Sequence, residues 1–205
     1  MRIVCVSDTH GYHERTPVPD GDVLVHAGDI CRHGSLADVE HFNRWLGALP
    51  HRHKVVVCGN HDVCFQETPA EARARLTNAI YLEDSGCTIE GLTFYGSPWT
   101  PLFCDWAFML PRGPEIAAKW AAIPTGVDVL ITHGPPEGIC DRNRTGEACG
   151  CRDLLYRALE VKPRLHVFGH IHEAAGRSDY DGTIFLNAST RTGSGSGVVI
   201  ELNGP

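Results

Sequence analysis

No stretch of this chain approaches the roughly 20 consecutive apolar residues that a membrane-spanning helix needs. A basic-then-apolar leader is missing as well, and the first residues run at once into a strand pattern, so a cytoplasmic protein is expected. Net positive charge is lacking. A formal charge of −7 argues against capture of duplex nucleic acid or of an anionic membrane surface, although bound cations can reverse the sign inside one pocket. The nine cysteines include no Cys-x-x-Cys pair, which removes the usual zinc spacing. Cys5 and Cys58 fall inside apolar runs, where a free thiol acts as a small hydrophobe. Cys140, Cys149 and Cys151 stay open between a separate metal or redox site and ordinary reduced thiols. Internal repeats, low-complexity tracts and linkers are also absent. A single domain over residues 1–205 is expected, long enough to bury about 70% of its unfolded surface.

What the chain does have is one pattern, repeated. Short apolar, β-branched runs end abruptly in polar residues, often through a glycine. Ile3–Val6 leads to Ser7-Asp8-Thr9-His10, and Val23–Ala27 to Gly28-Asp29. Val55–Cys58 leads to Gly59-Asn60-His61-Asp62, Val129–Thr132 to His133-Gly134, and Leu165–Phe168 to Gly169-His170-Ile171-His172. In α/β folds, ligands and chemistry gather outside the carboxyl ends of strands. Taken alone, Asp8-x-His10 could be an Asx-turn beside a surface histidine. Asp22 precedes its strand and reads as a turn residue.

Between these strands, Ser35–Gly47 is expected to be helical. Ser35 and Asp38 form a capping-box pattern, and Leu36, Val39, Phe42, Trp45, Leu46 and Leu49 make a core-facing stripe. Pro69–Leu76, Glu115–Ala122 and Cys151–Glu160 are further helices. Ala79–Leu82, Cys87–Glu90, Leu92–Tyr95, Thr183–Ala188 and Val198–Leu202 are further strands, with a hairpin turn at Glu90-Gly91 and a Gly/Ser turn over Gly193–Gly197. The prolines of Gly96-Ser97-Pro98-Trp99-Thr100-Pro101 argue against regular structure there. The aromatic stretch through Phe103, Trp106 and Phe108 is either a pocket wall or a cover over one sheet. His41, His51 and His53 are expected at the surface, and Glu137–Gly150 as a long loop.

Five of the twelve histidines, His10, His61, His133, His170 and His172, stand at strand ends together with Asp8, Asp29 and Asn60. Carboxylate, amide oxygen and imidazole together suit Mn, Fe or Zn better than a thiolate-loving ion. Two divalent ions joined by one carboxylate could polarise phosphoryl oxygens and generate a bridging hydroxide as nucleophile. His61, next to Asn60, could protonate the leaving alkoxide.

In order and type, Asp8-x-His10, Gly28-Asp29, Gly59-Asn60-His61-Asp62, His133-Gly134 and Gly169-His170-x-His172 resemble the five motifs of calcineurin-like metallophosphoesterases. Phe42–Gly47, Tyr95–Pro101, Thr132–Pro136 and Asn187-Ala188-Ser189-Thr190 resemble its metallophosphoesterase-domain-containing subgroup. The resemblance implies a four-layer α-β-β-α sandwich of two mixed sheets flanked by helices. It implies one ion held by Asp8, His10, Asp29 and His172 and a second by Asp29, Asn60, His133 and His170, with Asp29 bridging. It places His61 on the phosphate, and its subgroup implies a small phosphodiester such as a cyclic nucleotide as substrate. Phosphoprotein phosphatases of the family carry an aspartate three residues after the bridging one to orient the histidine. Here that position is Arg32, which speaks against protein phosphatase activity and leaves open what orients His61.

Phosphomonoester hydrolysis, single-strand nuclease activity and a non-catalytic metal-binding scaffold are the competing readings. Asn60 and His61 are candidate substrate contacts. Arg142 and Arg144 could bind a phosphate or simply be solvated. A metallo-β-lactamase site would need His-x-His-x-Asp-His, which the chain does not contain.

Overall fold

The structure, a computed structural model, describes residues 1–190 and 194–203. Strands β1 (Arg2–Val6), β2 (Val23–Ala27), β3 (His53–Val57) and β4 (Ile80–Tyr81) run parallel, with helix α1 (Leu36–Ala48) between the second and third. Helices α2 (Cys64–Glu67) and α3 (Pro69–Arg75) precede β4. Strands β5 (Ser85–Ile89) and β6 (Leu92–Ser97) form an antiparallel hairpin. Its turn residues Glu90 and Gly91 both take positive φ (48° and 86°), as a two-residue primed turn requires.

The chain continues through β7 (Thr100–Pro101), β8 (Met109–Leu110), α4 (Pro114–Ala121), β9 (Val129–Thr132) and α5 (Arg152–Val161). It ends with β10 (Leu165–Phe168), β11 (Gly176–Tyr180), β12 (Thr183–Asn187) and β13 (Val198–Glu201). One five-stranded sheet has the order β13-β1-β2-β3-β4, and a six-stranded sheet has the order β11-β12-β10-β9-β6-β5. Both are mixed: the first has one antiparallel edge strand, β13, and the second an antiparallel strand at each edge, β11 and β5. The expected sandwich of two mixed sheets between helices is what forms.

Strand alternation sorts the side chains into three apolar layers. Ile3, Cys5, Val25, Val55 and Val57 meet Phe94, Val129, Ile131, Leu165 and Val167 between the sheets. Val4, Val6, Leu24 and Val56 face outward onto Val39, Phe42 and Leu46 of α1. Leu130, Phe168 and Phe185 face outward onto Ile116 and Trp120 of α4 and Leu154 and Ala158 of α5. Because both faces of the central strands are covered, their sequences read as unbroken apolar runs. The capping box of α1 is present, with the Ser35 hydroxyl accepting the Asp38 amide at 3.1 Å and the Asp38 carboxylate accepting the Ser35 amide at 3.2 Å. No helix among the described residues is long and apolar enough to cross a membrane.

Four expectations need correction or qualification. Gly96 and Ser97 extend β6, and Thr100–Pro101 forms a short parallel pair with β8. The proline is tolerated because its neighbours carry the ladder: Thr100 donates to the Phe108 carbonyl (2.9 Å) and Leu102 to the Leu110 carbonyl (2.8 Å). His51 is buried rather than exposed, its Nε2 3.0 Å from the Pro19 carbonyl. Strand β11 gave no apolar signal because it is an edge strand with mostly exposed residues. The turn expected over Gly193–Gly197 begins at a residue outside those described.

Candidate metal centre

The carboxyl ends of β1, β2, β3, β9 and β10 meet at one rim, where the side-chain atoms of the expected ligands converge. Asp8 Oδ1 lies 3.4 Å from His172 Nε2, and His172 Nε2 lies 3.2 Å from His10 Nε2. Asp29 is central: Oδ2 lies 3.6 Å from His10 Nε2 and Oδ1 3.4 Å from His133 Nε2. His133 Nε2 is also 2.9 Å from the Asn60 side-chain oxygen. Asp8-His10-His172, Asp8-Asp29-His133 and His10-Asp29-His61 each bring three ligand atoms within 4.8 Å of one another. His170 enters none of these triads. Its ring lies against that of His133, centroids 5.0 Å apart, and its amide donates to both Asp8 carboxylate oxygens at 3.0 and 3.1 Å.

The backbone pays for this convergence. Asp8, His10, Asp29 and His170 all take the left-handed conformation, with φ of 57°, 45°, 56° and 67°. Strain of this kind on non-glycine residues persists only where surrounding structure enforces it, and it concentrates at functional sites. Glycine clears the remaining space. A Cβ on Gly59 would meet the Asp29 amide nitrogen and His133 Cε1, each at 2.6 Å, and one on Gly169 would run into Ser7 and Asp8. One on Gly28 would collide with the His133 ring.

Charge separates sharply here. Burial opposes ionisation of Asp8, but its bond with His172 and the charge of His133 win and hold it near 2. Asp29 is likewise held well below the usual carboxylate range by His133 and His10 against the cost of burial. His133 moves the other way: burial disfavours its charge, yet Asp29 lifts it to about 9. Burial, helped by repulsion from His133, depresses His170 to about 4. Two ionised carboxylates ringed by imidazoles fit divalent cations, which replace the ring protons on binding. The 3.2 Å approach of two imidazole nitrogens is a geometry that a shared cation satisfies. The His133 Nδ1–H donates to the Ala27 carbonyl at 2.9 Å, which turns Nε2 towards the cluster.

His61 stands at one side, its Nε2 4.0 Å from Asp29 Oδ2. The ring lies edge-on between His10 (4.4 Å, 86°) and Trp106 (4.1 Å, 89°) and donates to the backbone carbonyl of Arg32. A main-chain carbonyl therefore orients this histidine from the position where protein phosphatases carry a carboxylate. The aromatic stretch divides its roles. Trp106 and Phe103 wall the site, Phe103 resting 5.4 Å from the His170 ring, whereas Phe108 is core.

Arg142 and Arg144 are not brought to the cluster. Arg142 donates to the Gly146 carbonyl of its own loop, and Arg144 pairs with Glu173 at 2.6 Å while 86% exposed. The three cysteines do not form a site either. Cys151 is buried and accepts the Trp120 indole N–H, and among the described residues no candidate metal group contains a cysteine.

Sequence reasoning missed the residues that hold the loops. Asp62 is buried and accepts the amides of Gly59 (2.7 Å), Cys31 (2.8 Å) and Ile30 (3.3 Å), tying the loop after β3 to the loop after β2. The three-residue spacing from Gly59 to Asp62 was the available signal. Asn187 donates to the Ile171 and Cys140 carbonyls and fixes the loop after β10. No local spacing could show that.

Residues 1–174 match the family described as calcineurin-like phosphoesterases. The chain belongs to the calcineurin-like phosphoesterases. It is 44% identical over 216 residues to the human Metallophosphoesterase domain-containing protein 1, covering 93% of this chain and 66% of that protein, so it spans just under two thirds of that relative. A UPF0046 protein of Caenorhabditis elegans is 39% identical, with 92% of this chain and 69% of that protein covered. Two solved structures share the fold at low identity. The protein TT1561 of Thermus thermophilus superposes with a TM-score of 0.62 at 13% identity, covering 91% and 88% of the two chains. A structure titled as a novel archaeal phosphodiesterase superposes with a TM-score of 0.51 at 16% identity, covering 94% and 86%. Calcineurin-like phosphoesterases bind divalent metals and hydrolyse phosphate esters, and the His/Asp clusters at the sheet rim offer such ions a place.

Proposed function

We propose that this phosphoesterase hydrolyses phosphodiesters, small ones such as cyclic nucleotides, using two divalent ions. Asp8, His10, Asp29 and His172 would hold one ion, and Asn60, His133 and His170 with Asp29 the other. Bound there, Mn, Fe or Zn would polarise the phosphoryl oxygens and acidify a shared water. The observation that carries the diester reading is that two cavities reach the cluster. One, of about 530 Å³, is bordered by His170, Ile171 and Phe103, and the other, of about 370 Å³, by Asn60, His61 and Trp106. Phe103 and Trp106, 6.4 Å apart, stand between them. A phosphoryl group at the cluster would have room for a substituent on either side, which a monoester does not need.

The chain's own residues then divide the work. Asn60 and His61 border the position of the phosphoryl group. Water adds its oxygen to phosphorus, and the bond to the leaving oxygen breaks with its electron pair. His61 passes a proton to that oxygen, and the proton released by the attacking water balances the step. The products are an alcohol and a phosphomonoester, borne on one molecule when the diester is cyclic. The test is manganese-dependent turnover of bis(4-nitrophenyl) phosphate, 4-nitrophenyl phosphate and the 2′,3′- and 3′,5′-cyclic nucleotides. Preference for diesters is expected, and faster turnover of the monoester would overturn the reading.

A further inference from the structure

The two cavities differ in whether their arginine is already bonded to the protein. The one beside His61 is bordered by Arg32, His33, Asp105 and Trp106. The Arg32 guanidinium lies over the ring of Tyr12, 5.3 Å from its centroid, and Arg15 lies on the same ring at 5.0 Å. Among the described residues no carboxylate lies within 4.0 Å of the Arg32 guanidinium. A guanidinium laid on an aromatic face keeps its donor edge available and loses little further freedom when it grips an oxyanion. The carbonyl of the same residue accepts the His61 proton donor, so the cation sits on the side where the leaving oxygen is protonated.

The cavity at His170 also holds one arginine and one carboxylate. Leu102 and Phe103 line it, with the carboxylate of Glu147. Its one arginine, Arg112, is spent on the carbonyls of Gly150 (2.7 Å) and Cys149 (3.0 Å). Each cavity thus holds one arginine and one carboxylate, and an anionic group finds a guanidinium not already bonded to the protein in the one beside His61.

We infer that Arg32 selects the leaving half of the substrate: a phosphodiester whose leaving alcohol carries a second anionic oxygen group. In such an acyclic diester the retained half lies against Phe103. This rests on the phosphodiesterase reading and adds a direction to it, because the uncommitted Arg32 guanidinium decides which ester bond faces His61.

Two chromogenic diesters test it: methyl 4-nitrophenyl phosphate, and its analogue with a carboxylate at position 3 of the nitrophenyl ring. In both, only the aryl oxide is a competent leaving group. With manganese, the protein should favour the carboxylated substrate by about tenfold in kcat/KM, the scale of one charge-assisted hydrogen bond at a partly solvated site. Arg32→Gln should bring the ratio of the two substrates to about one, and Arg32→Lys should keep part of it. The ratio is insensitive to any slowing common to both. Raising salt to 0.5 M should shrink the preference, because the pair is exposed. Equal turnover of the two diesters by the unmodified protein, or a preference that survives Arg32→Gln, overturns the inference and leaves the diesterase reading standing. Turnover of neither diester overturns both.

Discussion

Replacing Asp62 with alanine tests whether a residue outside the ligand set holds the centre together. The carboxylate is buried and accepts two strong amide hydrogen bonds, from Gly59 at 2.7 Å and Cys31 at 2.8 Å, and a weaker one from Ile30 at 3.3 Å. A buried donor left without a partner costs about 1–3 kcal/mol. The two strong bonds dominate, and the variant is relieved of burying a carboxyl that desolvation and the charge of Asp29 push up to about 7. A net loss of about 3 kcal/mol remains, or roughly 6–12 °C in Tm for a chain of this size. The same bonds position the loops that carry Asp29 and Asn60, so metal affinity should fall by about 10- to 100-fold, as for other residues that support ligands. Thermal unfolding of the chelator-treated protein reads the first quantity, and manganese titration by calorimetry reads the second. An Asp62→Ala protein that melts within 2 °C of the original and binds manganese equally well would falsify this account of Asp62.

Three further outcomes are expected. His61→Ala should lower kcat by about 10²–10⁴-fold at unchanged metal content, measured by turnover and elemental analysis together; loss of metal instead would make His61 a ligand. Gly169→Ala should sharply reduce metal binding, because its methyl runs into Ser7 and Asp8; full metal occupancy with normal turnover would show that the loop yields. His26 and His166 are both buried, and burial depresses each to about 3. Their folded pKa lies below the unfolded value near 6.5, so the unfolded chain takes up protons first and stability falls as pH drops from about 6.5 towards 3. Each contributes about 1.4 kcal/mol per pH unit, roughly 3 together. Urea unfolding of the chelator-treated protein between pH 6 and 4 measures the slope, and His166→Gln should remove about half of this contribution; an unchanged slope refutes it.

Much of the fold was legible because its signals are local. A β-branched run buried on both faces announces a central strand, Ser35 and Asp38 announce the start of a helix, and Glu90-Gly91 announces a two-residue turn. The kinds of residue gathered at the sheet rim were legible for the same reason, since each follows a strand. Legibility stopped where a partner is remote or a residue's fate depends on what packs over it. Pro101 looked disruptive until its neighbours' amides found Phe108 and Leu110. His51 looked exposed until the Pro19 carbonyl was seen to receive it. Arg142 and Arg144 looked available for phosphate, and their donors are taken by Gly146 and Glu173.

By itself, then, the sequence determined the strands, the helix caps and the kinds of atoms delivered to the sheet rim, because backbone preference and apolar periodicity act over a few residues. Only the tertiary structure decided the distances. It set His10 and His172, 162 residues apart, within 3.2 Å, gave the orientation of His61 to the carbonyl of Arg32, and left that arginine's charge free at the mouth of a cavity. Contacts of that kind arise from packing two sheets against each other, and no spacing along the chain encodes them.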